Sequence, residues 1–146
     1  MRPIAVGVDV ARPANDVFAF VADVENNPRW QRGMRSCRWT SPPPVGVGST
    51  YDQTARFLGK DVVSSFRVVE HLPGRRIRLV STAGPFPIVE TRSVQPLGDG
   101  LAHVSAIVEG DAGGFFRIAG PVLRALVARS VRGDYARLKR LLESGG

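Results

Sequence analysis

Alternating and helical patterns of hydrophobic residues divide the start of the chain into one strand and a helical region. Ile4 to Val10 reads "IAVGVDV", the alternation of a half-buried strand. Pro13 then opens a helix. Its apolar residues recur at i, i+3 and i+4 spacing: Val17, Phe18, Val21 and Ala22. The segment "ENNPRW" interrupts the helix, because Pro28 disfavours helical geometry in the residue before it. A short second helix or turn ends near Trp30.

Six strand-like segments follow between Met34 and about Asp111. They are separated by turn chemistry, in the segments "PPPVGVG", "GK", "PGR", "AGP" and "LGDG". Sequential hairpins of this kind predict an antiparallel sheet. The six segments are "MRSCRWTS", "STYDQTARFL", "DVVSSFRVVEHL", "RIRLVST", "FPIVETRSVQ" and "LAHVSAIVEG".

The last thirty residues change to a helical period. Pro121 either starts the regular part of this helix or kinks it. The predicted apolar stripe comprises Phe116, Leu123, Leu126, Val127, Val131, Leu138, Leu141 and Leu142. The whole pattern predicts an α+β fold with one strand, two short helices, six strands and one long helix. No linker or repeat interrupts it, so residues 1–146 form a single domain.

Composition agrees with a globular protein that needs neither disulfides nor metal. Hydrophobic residues make up 43% of the chain and charged residues 23%. The single Cys37 excludes an internal disulfide and, with only His71 and His103 available, predicts no metal site. No apolar run reaches the roughly 18 residues that a membrane span needs. The N-terminus reads directly into a strand rather than a signal peptide, so we expect a cytoplasmic protein.

The net charge of +7 raises the question of nucleic-acid binding. Eighteen of the 20 basic residues are Arg, scattered along the chain, and the densest run, "PGRRIR", lies at a predicted turn. Nothing resembles an aromatic RNA-binding signature or a recognition helix. The pattern favours a solvated basic surface over a nucleic-acid partner.

Strand alternation assigns side chains to the two faces of the sheet. A two-residue turn at Gly59 and Lys60 would pair Phe57 with Val62 and Tyr51 with Val68. The more apolar face then contains Tyr51, Gln53, Ala55, Phe57, Val62, Ser64, Phe66 and Val68. The more polar face contains Asp52, Thr54, Arg56, Val63, Ser65 and Arg67. On the next strand the inward set is Ile77, Leu79 and Ser81.

The strand "IVETRSV" can be placed with either face inward. A "GDG" loop with a bulge would pair Val94 with Val104 and turn Glu90 and Arg92 inward, whereas a different register leaves both charges solvated. Buried charges are costly unless they are paired. Inward placement leads to the hypothesis that Arg92 orients a carboxylate or enolate-like oxygen of a ligand, with Glu90 holding Arg92.

The element order and four local motifs resemble the START-like (SRPBCC) superfamily, which includes polyketide cyclases and dehydrases, lipid-transfer START domains and the birch-pollen allergen. The matching stretches are "ARPANDVFAFVADVENNPRW", "VGVGSTY", "VVEHLPGRRIRL" and "DYARLKRLLE". The resemblance implies the helix-grip fold, in which a seven-stranded antiparallel sheet curls around the C-terminal helix and encloses a cavity. The two short helices would close one end, with Trp30 at that junction. Phe18, Phe20 and Trp30 would then be core residues or cavity lining.

Together, the resemblance and the face assignments imply a set of cavity residues. Phe86 lies in a loop that the resemblance places near the cavity mouth. The resemblance places the passage "EGDAGGFFRIAGP" there too, and its Gly113 and Gly114 suit a sharp turn or a moving lid. The predicted ligand-binding residues are Tyr51, Gln53, Phe57, Ser64, Phe66, Ile77, Leu79, Ser81, Phe86, Glu90, Arg92 and Leu123.

Three classes of function follow. The first is a protein that binds a hydrophobic or aromatic small molecule, lipid- or polyketide-like, in the cavity. The second is a cofactor-independent cyclase or dehydratase, for which Tyr51, Arg67, Glu90 and Arg92 are candidate groups; His71 and His103 are more typical of surface residues than of catalysts. The third is a protein-interaction module, which predicts a collapsed cavity. No phosphate loop or dinucleotide fingerprint indicates a cofactor.

Overall fold

The computed structural model describes residues 3–110 and 114–145, without the side chains of residues 114–119. Seven strands and three α-helices make up the described chain. In chain order they are β1 (Ile4–Val10), α1 (Ala14–Val21), a 3₁₀ turn (Val24–Asn26), α2 (Asn27–Trp30), β2 (Met34–Trp39), β3 (Thr50–Phe57), β4 (Lys60–Leu72), β5 (Arg76–Ala83), β6 (Ile88–Gly98), β7 (Leu101–Gly110) and α3 (Gly114–Glu143).

The seven strands form one antiparallel sheet in the order β1-β7-β6-β5-β4-β3-β2. Strands β2 to β7 pair in sequence, whereas β1 pairs with β7, with Ile4 opposite Val108 and Val10 opposite Ala102. The inner face of the sheet, α1, α2 and α3 share one core. This arrangement confirms the predicted α+β helix-grip fold.

The turn between β3 and β4 differs from the prediction. Leu58 and Gly59 form it, with φ of 51° and 78°, and Phe57 pairs with Lys60. The predicted turn at Gly59 and Lys60 was wrong, because two consecutive positive φ angles are needed and a leucine at the first position gives no signal of one. The pairing therefore shifts by two residues, which brings Tyr51 opposite Phe66. Side chains alternate with a period of two, so the predicted faces are unchanged.

The register of β6 against β7 is the one that a "GDG" loop with a bulge would give, with Val94 opposite Val104 and Arg92 opposite Ala106. A bulge between Pro96 and Gly98 sets this register. Of the two alternatives, the structure therefore has the one in which Arg92 points inward.

The first helical region breaks earlier than Pro28. Helix α1 ends at Val21, and Asp23 accepts a hydrogen bond from the backbone N–H of Glu25 at the start of the 3₁₀ turn. Asn27, expected to be non-helical, has helical φ and ψ of −52° and −42°. Pro28 is tolerated there because the N–H groups of a first helical turn need no helical partner.

Helix α3 is divided at Gly120, whose φ of 39° is non-helical, and Pro121 begins its regular part. Leu123, Leu138 and Leu142 are buried. Leu126 is 54% exposed, so its predicted place in the apolar stripe was wrong; it lies on the outer side of the helix. The predictions for Gly113 and for the Phe116 side chain fall outside the described residues.

Candidate functional site

A cavity of about 190 Å³ lies between the inner face of the sheet and α3. Its walls come from β1, β3, β4, β6, β7, α3 and the loop before β6. The lining residues are Ile4, Gln53, Ala55, Phe57, Val62, Ser64, Phe86, Ile88, Val108, Gly110 and Val127. The lining is therefore mostly apolar, with two polar side chains.

Four of the predicted ligand-binding residues line this cavity: Gln53, Phe57, Ser64 and Phe86. Gln53 and Ser64 are direct partners across β3 and β4, so their side chains lie side by side on the wall. Phe57 and Phe86 meet edge to face with ring centres 5.9 Å apart. The polar part of the wall is thus built by β3 and β4, and the aromatic part by β3 and the loop before β6.

Gly84 makes room for Ser64. Its φ is 128°, and a Cβ at this position would lie 2.7 Å from the Ser64 hydroxyl oxygen. Both the backbone conformation and the close approach require glycine. A glycine between β5 and β6 therefore leaves Ser64 free to face the cavity.

The remaining predicted residues lie elsewhere. Tyr51 and Phe66 stack with ring centres 5.1 Å apart and, like Ile77 and Leu79, belong to the closely packed core. The Ser81 hydroxyl accepts a hydrogen bond from the backbone N–H of Ile88, and so it has a structural partner. Leu123 is buried but is not among the residues that line this cavity.

Seven lining residues were not predicted as site residues. Ala55 and Val62 lie on the face that alternation had turned inward, so the pattern already contained their signal. Ile4, Val108 and Val127 come from β1, β7 and α3, which are brought together by the pairing of the first strand with the last and by the packing of α3 on β1. Sequence spacing gives no sign of that contact.

Arg92 is the centre of a buried polar cluster and is only 1% exposed. Its Nε donates to Glu90 Oε1 at 2.9 Å, and its Nη1 donates to the Val21 carbonyl and to Asn27 Oδ1, each at 2.9 Å. The guanidinium also lies 5.1 Å from the centre of the Trp30 ring. Arg92 therefore joins β6 to the end of α1 and to α2.

The charges of this cluster are fixed around neutral pH. Burial tends to lower the pKa of Arg92, but the Glu90 carboxylate together with Tyr135 and Tyr51 outweighs burial and holds that pKa above its usual value. Burial raises the pKa of Tyr51 and of Tyr135, although the nearby Arg92 charge opposes both shifts. Among the described residues the Tyr135 hydroxyl makes no hydrogen bond of ordinary geometry. The cluster therefore contains a permanent cation and two neutral phenols.

Cys37 links this cluster to the cavity. Asn27 Nδ2 donates to Cys37 Sγ at 3.6 Å, and the Cys37 thiol donates to Gln53 Oε1 at 3.9 Å. A path of hydrogen bonds thus runs from Arg92 through Asn27 and Cys37 to Gln53, which lines the cavity. Sequence reasoning treated Cys37 as an isolated residue, and it did not consider the Asn27 side chain.

We predict that stability falls at alkaline pH because of Cys37. Burial raises the pKa of its thiol from 9.0 to about 11, so the folded protein holds this proton longer than the unfolded chain does. The contribution is complete below pH 9 and is lost as the pH rises toward 11. Between pH 9 and 10 we expect wild type to lose about 1 kcal/mol more free energy of unfolding than Cys37→Ser, measured by urea denaturation. Equal slopes for the two proteins would contradict this.

The histidines lie away from the cavity lining. His103 contacts Asp9 on the outer face, with 2.7 Å between Nδ1 and Oδ1, and His71 lies 6.0 Å from the Phe18 ring. Arg67 is exposed on the outer face and so lies away from the cavity. Within residues 3–110 and 114–145, no group of three or more His, Cys, Asp or Glu side chains is placed to hold a metal ion. The described helices include none that is long and apolar enough to cross a membrane.

A curled antiparallel sheet, a long C-terminal helix and an internal cavity between them define a helix-grip protein of the START-like superfamily, as the sequence predicted. The chain belongs to the polyketide cyclase / dehydrase and lipid transport family, whose model matches residues 1–143.

Solved structures share this fold at low sequence identity. The protein TTHA0849 from Thermus thermophilus is 16% identical, with a TM-score of 0.84 and 99% of each chain covered. The Zhui aromatase/cyclase from Streptomyces sp. R1128 is 16% identical, with a TM-score of 0.77 over 97% of this chain and 93% of the other. A START superfamily protein from Mycobacterium smegmatis is 24% identical, with a TM-score of 0.66 over 95% and 98%. No curated protein matches the sequence.

Proposed function

We propose that this protein binds a small, largely apolar molecule, aromatic or polyketide-like, in the cavity between the sheet and α3. The observation that carries the proposal is the lining itself, which is apolar except for Gln53 and Ser64. Ligand pockets in proteins typically combine apolar walls with a few placed polar groups. Family membership and the fold support the same class of function.

The cavity volume sets the size of the ligand. At about 190 Å³ it lies below the roughly 300–1,000 Å³ of pockets for drug-sized molecules. An apolar protein cavity of about 150 Å³ is large enough to bind benzene. A molecule with one substituted ring, or one ring of a larger molecule, therefore fits the space that the described residues enclose.

The experiment is a toluene titration followed by methyl NMR. We expect shifts at the methyl groups of Val62, Ile88 and Val127. In Val62→Phe the added ring fills the cavity. We expect toluene to bind about tenfold more weakly or not at all, because toluene would then have to force packed side chains apart, and such overpacking costs about 1–3 kcal/mol. Native mass spectrometry of the purified protein, followed by extraction, would identify any ligand that is already bound.

Val63→Phe is the matched control. Val63 is the neighbouring residue on the same strand, but it is 62% exposed on the outer face. It should bind toluene as wild type does. Equal affinity of Val62→Phe and wild type, or binding that leaves the three methyl groups unshifted, would contradict the proposal.

A cyclase or dehydratase reaction on the same scaffold is the second candidate. It is favoured by the family and by the buried Arg92, whose fixed positive charge lies near two neutral phenols, Tyr51 and Tyr135. Arg67, named from the sequence for this reaction, is on the outer face and is left out. Incubation with a poly-β-ketone mimic and mass analysis of the products distinguishes the two functions, because a binding protein returns the compound unchanged.

The third function class, an interaction module, has less support. It predicted a collapsed cavity, whereas the described residues enclose an open one. If toluene and larger apolar probes all failed to bind, this class would become the stronger candidate.

A further inference from the structure

From the hydrogen bonds that lead away from Arg92, we infer that the Gln53 amide presents its N–H groups to the cavity and thereby selects ligands with a hydrogen-bond-accepting oxygen, such as a ketone or an ether. The inference rests on the proposed function, because it concerns the polarity of one wall of the same cavity. It specifies the class of ligand more narrowly than the apolar lining alone does.

The direction of the first hydrogen bond is fixed by chemistry. A guanidinium can only donate, so the group of Asn27 that faces Arg92 Nη1 must be its carbonyl oxygen. The amide nitrogen of Asn27 then points the other way, toward Cys37 Sγ. Asn27 is 1% exposed, so a reversed amide would place two donors against each other in the interior at high cost.

The second step is set by the thiol. Cys37 Sγ accepts from Asn27, and its own proton then has Gln53 Oε1 as acceptor at 3.9 Å. The thiol carries that proton at neutral pH, and burial, which raises its pKa to about 11, only strengthens this. A reversed Gln53 amide would leave the thiol proton buried without an acceptor. The hydrogen bond from the thiol to Gln53 Oε1 is weak. It therefore sets a preference for this orientation of the Gln53 amide, which the rest of the network reinforces.

The third step reaches the cavity. With Oε1 of Gln53 engaged by the thiol, Nε2 is the group available to a ligand, and among the described residues it has no hydrogen-bond partner. Ser64, directly across from Gln53, adds a hydroxyl that either donates or accepts. Gln53 Nε2 therefore gives the polar part of the wall a donor that the Ser64 hydroxyl can supplement, and a ligand oxygen placed there satisfies it.

The test compares two probes of nearly equal shape, acetophenone and cumene, of which only acetophenone has an acceptor oxygen. The measured quantity is the ratio of the cumene Kd to the acetophenone Kd. We expect Gln53→Met, which keeps the length of the side chain but has no donor, to lower this ratio about two- to tenfold, the worth of one hydrogen bond. Cumene affinity itself should change little.

Cys37 variants test the relay separately from the contact. Cys37→Ser keeps a group that accepts from Asn27 and donates to Gln53, so the ratio should stay at the wild-type value. Cys37→Ala frees the Gln53 amide to turn, and the ratio should fall. An unchanged ratio in Gln53→Met, or in Cys37→Ala, would overturn the inference. If neither probe bound wild type, the proposed function would fail and this inference with it. If both probes bound but the ratio were the same in wild type and in these variants, only the inference would be refuted.

Discussion

Replacing Arg92 with methionine should lower the free energy of unfolding by about 3–5 kcal/mol, the usual effect of removing one partner of a buried ion pair. The variant leaves the Glu90 carboxylate, whose side chain is 16% exposed, without its partner. It also leaves the Val21 carbonyl and Asn27 Oδ1 without their donor. Urea denaturation followed by circular dichroism measures the loss.

Two further variants make this result specific. Arg78 lies on the neighbouring strand with its side chain exposed, and Arg78→Met should change stability by less than about 0.5 kcal/mol. Adding Glu90→Leu to Arg92→Met removes the unpaired carboxylate and should recover part of the loss. A loss below about 1 kcal/mol in Arg92→Met would mean that the cluster is not structural.

Replacing Trp30 with alanine should cost about 3–5 kcal/mol, the range for a large aromatic residue removed from a core. Trp30 is 1% exposed, lies edge to face on Tyr135 with ring centres 4.9 Å apart, and faces the Arg92 guanidinium. The variant therefore leaves a cavity where α2, α3 and β6 meet. Thermal unfolding gives the comparison with wild type.

The cost of Trp30→Ala should come from lost packing and not from a lost hydrogen bond. Among the described residues the Trp30 indole N–H has no hydrogen-bond partner, so Trp30→Phe should cost clearly less than Trp30→Ala. Trp39 is only half-buried and serves as the control, and its alanine variant should be less damaging. Equal losses in Trp30→Ala and Trp39→Ala would contradict the central role of Trp30.

Alternation predicted the faces of most strands, because side chains alternate with a period of two. An error of two residues in the pairing therefore leaves every side chain on the same face. The turn at Leu58 and Gly59 was misplaced by one residue, yet Gln53 and Ser64 were still assigned to the inner face. For β6 the sequence left both faces open, and the observed pairing with β7 places Arg92 inward. Faces are local properties of strands, so a single sequence assigns them where one face is clearly more apolar than the other.

The surroundings of those side chains were not predictable in the same way. Arg92 was expected to face a ligand, but its Nε and Nη1 donate to Glu90, Val21 and Asn27. Those partners lie up to 71 residues away along the chain. The link through Cys37 to Gln53 likewise depends on how α2 lies against β2. Such contacts depend on how strands and helices pack against one another. The spacing of residues within one strand or helix does not determine that packing.

The pairing of β1 with β7 has a consequence for the newly made chain. Ile4 and Val108 are opposite each other, and Lys139 and Glu143 near the end of α3 hold the backbone of Asp9 and Ala11. At a synthesis rate of about 5–20 residues per second, the first strand waits roughly 5–20 s for its partner. Because Ile4, Val108 and Val127 all line the cavity, a molecule can be enclosed there only once the chain as far as Val127 has left the ribosome.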